Sequence, residues 1–425
     1  MSATNHDYCL IDAKLEQMDK HQVIKKIEHL RPDVLGISSF TTDMSMVSEL
    51  ARAYKRLNPQ GKVILGGAHP SALPIETLQS CESYDIVVIG GGERVLVEIL
   101  DTLDQGLDLF QVNGIAFKQE GKIHETSPQE VMPDLDDLPP PAWRKMPASQ
   151  LYYVEVSRGC PGRCSFCYNM YGRRIRCKSV ARVLSELKDI QDYANPKEFI
   201  LGAATFGIPK QHYNELLDGI IQSGLKIKWG SETRVDITDR EFIIKMKNAG
   251  CHCIALGVES GNDDILRQTG KNITVVKIKE CVNSIHELDI PTLGFFVFGH
   301  PNETKKTIKQ TSDLAVELNT TSITIGIMTP WPGTKVYEMA HNGEGGYYLD
   351  QQISIEGQNK HFGRRALLFK NFPIWYLQWM KIRTYLLLYW KNRRFVDGAK
   401  FCSANFKEAC LLMLEMFRGF LRSDR

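Results

Sequence analysis

Three cysteines, Cys160, Cys164 and Cys167, fall within eight residues in the stretch VSRGCPGRCSFCYNMYGRR (156–174). Their C-x-x-x-C-x-x-C spacing brings three thiolates to one short loop, and the next cysteine, Cys177, does not complete a second C-x-x-C pair. A structural zinc site takes four ligands, usually as two such pairs. Iron–sulfur clusters are also held by thiolates, one per iron in the four-iron type. Three thiolates on a four-iron cluster leave one iron open, and a second molecule can bind there and be reduced. The residues suit one-electron chemistry at an open iron, with a zinc site as the alternative.

Such a loop needs a rigid element to present it. Short apolar runs at 152–157, 198–203, 227–231, 253–258, 292–298 and 322–328 read as strands, with helical patterns between them. Region 149–335 thus holds roughly six strand–helix units at ~30 residues each, whereas a closed eight-unit barrel needs about 250 residues. A partial (β/α)6 barrel is expected, its first strand ending at Ser157. The cysteine loop would leave the carboxyl end of that strand, where barrel active sites lie.

Upstream, residues 1–125 carry a second alternation, with strands expected at 8–12, 34–38, 62–65, 86–89 and 114–117. The expected fold class is α/β, with a doubly wound parallel sheet over 1–125. Ligands bind such sheets at the carboxyl ends of strands, which directs attention to GGAHPS (66–71) and GGGE (90–93). Between the halves, 126–148 reads as a linker, with six prolines and four acidic residues between 127 and 147. The remaining region, 336–425, reads as mainly helical.

Apolar residues at 43% and charged residues at 24% suit a globular chain, and a net charge of +2 gives no basis for a nucleic-acid partner. The polar opening lacks a signal peptide's apolar core, and eleven cysteines suit reduced thiols or metal ligands, so a cytoplasmic setting is expected. Residues 371–390 are aromatic-rich, but Lys381 and Arg383 interrupt them, and a span needs about 20 predominantly apolar residues. This segment reads as a packed helix, with peripheral membrane contact as the alternative.

The cysteine segment, with Phe166 before its last cysteine, is similar to the signature of the radical S-adenosylmethionine (SAM) enzymes. The resemblance implies that Cys160, Cys164 and Cys167 ligate a [4Fe-4S] cluster whose open iron chelates the amino and carboxylate groups of SAM. One electron would then cleave the sulfonium to a 5′-deoxyadenosyl radical that takes a hydrogen atom from a small-molecule substrate. It implies an electron donor such as flavodoxin or ferredoxin. Phe166 would lie along the adenine, and Arg234 of TRVD and Glu259 of GVESG would line the top of the barrel near SAM.

The likeness extends to the subfamily with an N-terminal cobalamin (B12)-binding domain. RPDVLGISSFTTD, VILGGAHPSALP and DIVVIGGGERVLVEIL resemble that half, MPDLDDLPPPAW its linker, and FFVFGHPNETKKTI and TPWPGTKVYEMA later barrel segments. Ser38, Ser39, Gly66 and Gly67 would then bind cobalamin, along its nucleotide tail. The implied function is cobalamin-dependent methylation or rearrangement of an unactivated carbon in a small organic or lipid-like substrate. A radical SAM oxidoreductase or cyclase without cobalamin is one alternative. A shortened, non-catalytic iron–sulfur or zinc-binding relative, acting as scaffold or redox partner, is another.

Three departures bear on this. Segment 8–12 resembles the second strand of the cobalamin half, and the first strand and helix have no counterpart. The cobalt-ligating D-x-H-x-x-G motif is missing, since DKHQVI (19–24) carries Ile24 at the glycine position. In LGAATFG (201–207), Ala203 and Ala204 replace acidic residues usual in relatives. Elsewhere, CHC (251–253) reads as a buried strand, His69 and His300 as turn residues, and Cys9, Cys81, Cys281, Cys402 and Cys410 as ordinary thiols. The basic run 172–182 either meets an acid group or begins a solvated helix.

Overall fold

The computed structural model describes residues 6–132, 134–350 and 366–405. The chain divides into two compact units, Met1–Pro161 with Tyr168–Lys197, and Gly162–Cys167 with Glu198–Arg425. Residues 406–425, the end of the expected helical region and the site of Cys410, lie outside the described residues.

The first unit opens with α1 (Lys20–Leu30), β1 (Val34–Ser38), α2 (Met44–Leu57) and β2 (Lys62–Gly66). Next come α3 (Ala68–Ala72), α4 (Pro74–Ser80), β3 (Ile86–Val88), α5 (Val95–Asp104), β4 (Ile115–Gln119) and β5 (Lys122–Glu125). The sheet order is β1-β2-β3-β4-β5, with β1, β2 and β3 parallel. Consecutive side chains of a strand point to opposite faces. Here Val63, Leu65 and Val87 pack with Val47, Leu50 and Tyr54 of α2. Ile64, Ile86 and Val88 pack instead with Val95 and Ile99 of α5. Both faces are covered, as a doubly wound sheet requires, so only strand ends remain for a ligand.

Two expectations are corrected here. Residues 8–12 form no strand, and β1 pairs only with β2, so the segment has no neighbouring ladder to complete. Strand β4 is antiparallel to β3 and turns directly into β5. The turn residues Glu120 and Gly121 both have positive φ, 52° and 73°, matching a two-residue hairpin turn. QEGK (119–122) carried that signal.

The same unit continues with β6 (Leu151–Arg158), β7 (Arg176–Cys177), antiparallel to β6, and α6 (Val180–Ala194). The second unit runs β8 (Glu198–Ala203), α7 (Lys210–Ser223), β9 (Trp229–Thr233), α8 (Arg240–Asn248) and β10 (Cys251–Glu259). It goes on through α9 (Asp263–Gln268), α10 (Val275–His286), β11 (Thr292–Phe298), α11 (Lys305–Leu318), β12 (Ser322–Ile327) and α12 (Lys335–Asn342). Strands β8 to β12 pair in order and all parallel, an open ladder rather than a closed barrel. Side-chain caps set the helix starts: Asp239, Thr274, Thr304 and Thr334 each accept a backbone N–H from the first turn.

Beyond α12 the structure adds an antiparallel ribbon of β13 (Tyr347–Leu349) and β14 (Leu367–Phe369) to the expected helical region. Helix α13 (Ile374–Lys391) is held internally: Thr384 donates to Ser312 on α11 at 2.7 Å, and Tyr385 OH to the Ile323 carbonyl at 3.1 Å. Among the described residues no helix is long and apolar enough to cross a membrane.

Candidate active site

The cysteine loop starts where β6 ends. Gly159 sits at φ 89°, and a Cβ there would lie 2.1 Å from the Arg174 carbonyl, so only glycine permits the turn. Cys160 N–H donates to the Gly172 carbonyl at 3.2 Å, and the Asn169 amide donates to the Cys160 carbonyl at 3.1 Å. In the second unit Ser165 N–H donates to Thr269 O at 2.8 Å, while Ser165 O accepts from Val336 N–H at 3.0 Å. Gly270, at φ 74°, lets Arg163 O pass within 2.5 Å of where a Cβ would stand. Cys167 N–H donates to Cys164 O at 3.2 Å.

None of the three cysteines is in a disulfide; Cys160 and Cys164 are half-buried and Cys167 is exposed. Burial pushes the thiols of Cys177, Cys251 and Cys281 up, Cys177 to about 11 and Cys251 to about 12. A thiol held neutral is a poor metal ligand. CHC is indeed part of a strand, β10.

Phe166, Arg234 and Glu259 all belong to the second unit. Phe166 meets the His300 ring edge-on, with centroids 5.5 Å apart. Arg234 forms a fork with Asp236 and donates to the Lys271 carbonyl at 2.7 Å. Lys271 Nζ in turn pairs with the buried Glu259 carboxylate at 3.1 Å. Glu259 has φ 67°, and the pair lies over Gly257, where a Cβ would meet Lys271 Nζ at 2.5 Å. Lys271 escaped the sequence reading because α9 and its flanking turns separate it from Glu259.

His300 lies in the turn after β11, where Glu303 N–H donates to its carbonyl at 3.1 Å, and both side chains are buried. Burial lowers the His300 pKa to about 4, leaving a neutral ring, and raises that of Glu303 to about 8. Glu303 accepts from the N–H groups of Gly299 (2.6 Å) and His300 (3.1 Å), yet burial dominates.

Ser38, Ser39, Gly66 and Gly67 meet at the carboxyl ends of β1 and β2. Ser38 is level with Gly66, and Ser39 N–H donates to Gly66 O at 2.9 Å. Gly67 has φ 96°, and a Cβ there would lie 2.6 Å from Ser39 O. A Cβ on Gly66 would meet nothing within 4 Å. Hydroxyls, backbone groups and open space at a strand end fit a polar nucleotide-like tail. His69 lies in α3 beside Thr41, with 3.1 Å between Nδ1 and Oγ1, and burial lowers its pKa.

Two sequence features serve the scaffold instead. Glu93 of GGGE pairs with Arg158 at 2.5 Å, and Arg158 also lies over the Tyr171 ring. Part of the basic run is held internally, with Lys178 buried against Glu186 at 2.8 Å and Arg176 donating to the carbonyls of Met132 and Tyr171, while Arg173 and Arg174 are exposed.

The Radical SAM superfamily model matches residues 154–315, and the B12 binding domain model matches residues 1–100. An uncharacterised methyltransferase of Pyrococcus horikoshii is 31% identical over 349 residues, 80% of this chain and 76% of that protein. The anaerobic magnesium-protoporphyrin IX monomethyl ester cyclase of Rubrivivax gelatinosus is 27% identical over 348 residues, 78% of this chain and 62% of that one. The solved radical SAM methyltransferase TsrM of Kitasatospora setae, with cobalamin and a [4Fe-4S] cluster, superposes with TM-score 0.70 at 17% identity, covering 85% of this chain and 81% of that one. OxsB, a cobalamin-dependent SAM radical enzyme, gives 0.69 at 20% identity, covering 93% and 62%. These two likenesses show the fold.

The chain belongs to the radical SAM superfamily, in the group whose members carry a B12-binding domain. It is an enzyme, and its family's cofactors are a [4Fe-4S] cluster, SAM and cobalamin.

Proposed function

We propose that this chain modifies an unactivated carbon of a small, largely apolar organic substrate by cobalamin-dependent radical SAM chemistry, methyl transfer being the first reading. The observation that carries it is the loop after β6, which carries Cys160, Cys164 and Cys167 at C-x-x-x-C-x-x-C spacing, none of them in a disulfide and none fully buried. The cluster with SAM supplies one-electron cleavage chemistry, and cobalamin supplies a methyl carrier.

The chain's own part is to hold and shield. Cys160, Cys164 and Cys167 would hold the cluster, Phe166 would give the adenine an apolar face, and Glu259 and Arg234 would order the polar end of SAM. Lys271 fixes both, through its ammonium and its carbonyl. Ser38, Ser39, Gly66 and Gly67 would receive the cobalamin tail. An external one-electron donor, such as a flavodoxin or ferredoxin, completes the system. The outer side of α13, where Trp379, Leu386 and Trp390 are exposed, is the surface for the membrane-contact alternative.

A second reading, oxidative ring closure, draws on the magnesium-protoporphyrin cyclase relative. The test is anaerobic reconstitution with iron, sulfide and cobalamin, then reduction in the presence of SAM. Formation of 5′-deoxyadenosine or of S-adenosylhomocysteine is expected. Bound zinc without acid-labile sulfide would sink the reading.

A further inference from the structure

The two faces of the β9–β12 ladder are unequal. Trp229, Ile254, Leu256, Phe296 and Ile325 point to one face and are buried. Their alternates fill the other face, where register brings Glu232 level with Ala255, Phe295 with Thr324, and Val297 with Gly326. Phe295 and Val297 are only half-buried there, and Glu232 and Thr324 are exposed. Ala255 and Gly326 leave the floor of this face low, a Cβ on Gly326 meeting nothing nearer than 3.8 Å, while the Lys271–Glu259 pair covers Gly257 and bounds the floor on that side.

Glu232 is the unmatched group on it. The charged group that acts on it, Glu259, is of like sign and is already paired with Lys271. Among the described residues the Glu232 carboxylate has neither a hydrogen-bond nor an ion-pair partner. Desolvation, then Glu259, raises its pKa although solvent reaches it. A carboxyl group that is both reachable and poorly solvated stands in a recess.

We propose that this face is the substrate chamber, and that Glu232 binds a hydrogen-bond donor, hydroxyl or ammonium, on an otherwise apolar ring-system substrate. The low floor admits a broad ring body, Phe295 and Val297 give it apolar contact, and the donor relieves the lone carboxyl. A substrate carboxylate at this position is rejected by Glu232 and Glu259 together. The proposal deepens the function proposed above by naming the substrate class, and it rests on that reading for the word substrate.

The test titrates the anaerobically reconstituted full chain with three fluorescent probes: 1-pyrenemethylammonium, 1-pyrenemethanol and 1-pyrenecarboxylate. The two donor probes are expected to bind at least about tenfold more tightly than the carboxylate. In E232Q that ratio should collapse to within about twofold. T324F, at an exposed position on the same face, should weaken all three about tenfold by filling the trough. S-adenosylhomocysteine affinity should be unchanged in E232Q. Equal binding of the three probes by the wild type would overturn the proposal. So would wild-type titrations in both variants, or a parallel loss of S-adenosylhomocysteine binding, which would give the donor to the SAM ammonium. Probe binding needs no turnover, so failure of the radical chemistry would show separately, as absent 5′-deoxyadenosine.

Discussion

The two sheets of this protein handle their faces in opposite ways. In β1–β5, alternate residues feed two separate apolar cores, so neighbours such as Ile64 and Leu65 are buried on opposite sides. Only the strand ends remain for a ligand, and the candidate site there is made of serine hydroxyls, backbone and glycine. In β9–β12 one face packs and the other is only partly covered, lined by Ala255, Gly326, Phe295, Val297 and Glu232. A sheet covered twice offers a rim and can hold the tail of a cofactor; a sheet covered once offers a floor and can shape a chamber. The same parallel β/α grammar thereby yields one unit suited to carrying a group and another suited to choosing where it goes.

The sharpest break in that comparison comes from the cysteine loop. Changing Cys160, Cys164 or Cys167 to Ala should each remove cluster absorption and lower 5′-deoxyadenosine formation to background, a loss of at least about 1,000-fold. Next is the rim: Gly67→Val places a branched side chain at φ 96° against Ser39, at a cost of roughly 1–3 kcal/mol. Cobalamin co-purification should fall by about tenfold or more while iron content stays intact.

The effect expected in the second unit falls on stability and SAM-type binding rather than on cofactor content. Lys271→Met leaves Glu259 buried without its cation, which costs about 3–5 kcal/mol. Calorimetry should show a lower Tm and weaker binding of S-adenosylhomocysteine, with cobalamin retention unchanged. A thermal shift confined to cobalamin-loaded protein would contradict the division of roles.

Smaller again is a pH effect. Glu303 binds its proton more tightly folded than unfolded, with a folded pKa of about 8 against an ordinary 4.5. Its contribution to stability is fully present below the unfolded value and is lost as pH rises through about 8. Denaturant midpoints should fall between pH 5 and 9, and E303Q should flatten that slope. Cys177→Ala should change neither iron content nor activity, since its thiol is held neutral by burial.

Much of this arrangement was legible in the sequence, for local reasons. Strand–helix alternation, threonine and aspartate caps and the cysteine spacing are all short-range signals. What escaped was set by pairing over distance. Residues 8–12 have strand composition but no ladder to join, and β4 reverses because Glu120–Gly121 make a tight turn. Lys271 reaches Glu259 only after α9 has folded back. Glu232 looks like any charged residue of a strand, and its isolation appears only once β10 and β11 supply neighbours that do not match it.

The most direct test of the central claim is the metal and corrinoid content of the full chain, reconstituted anaerobically with cobalamin, iron and sulfide and then passed through gel filtration. About four iron, four acid-labile sulfide and one cobalt per chain are expected in a single peak. Selective loss of iron is expected in C160A and of cobalt in Gly67→Val. Iron eluting with no cobalt in the wild type would contradict cobalamin dependence, and zinc in place of iron would contradict the radical mechanism as a whole.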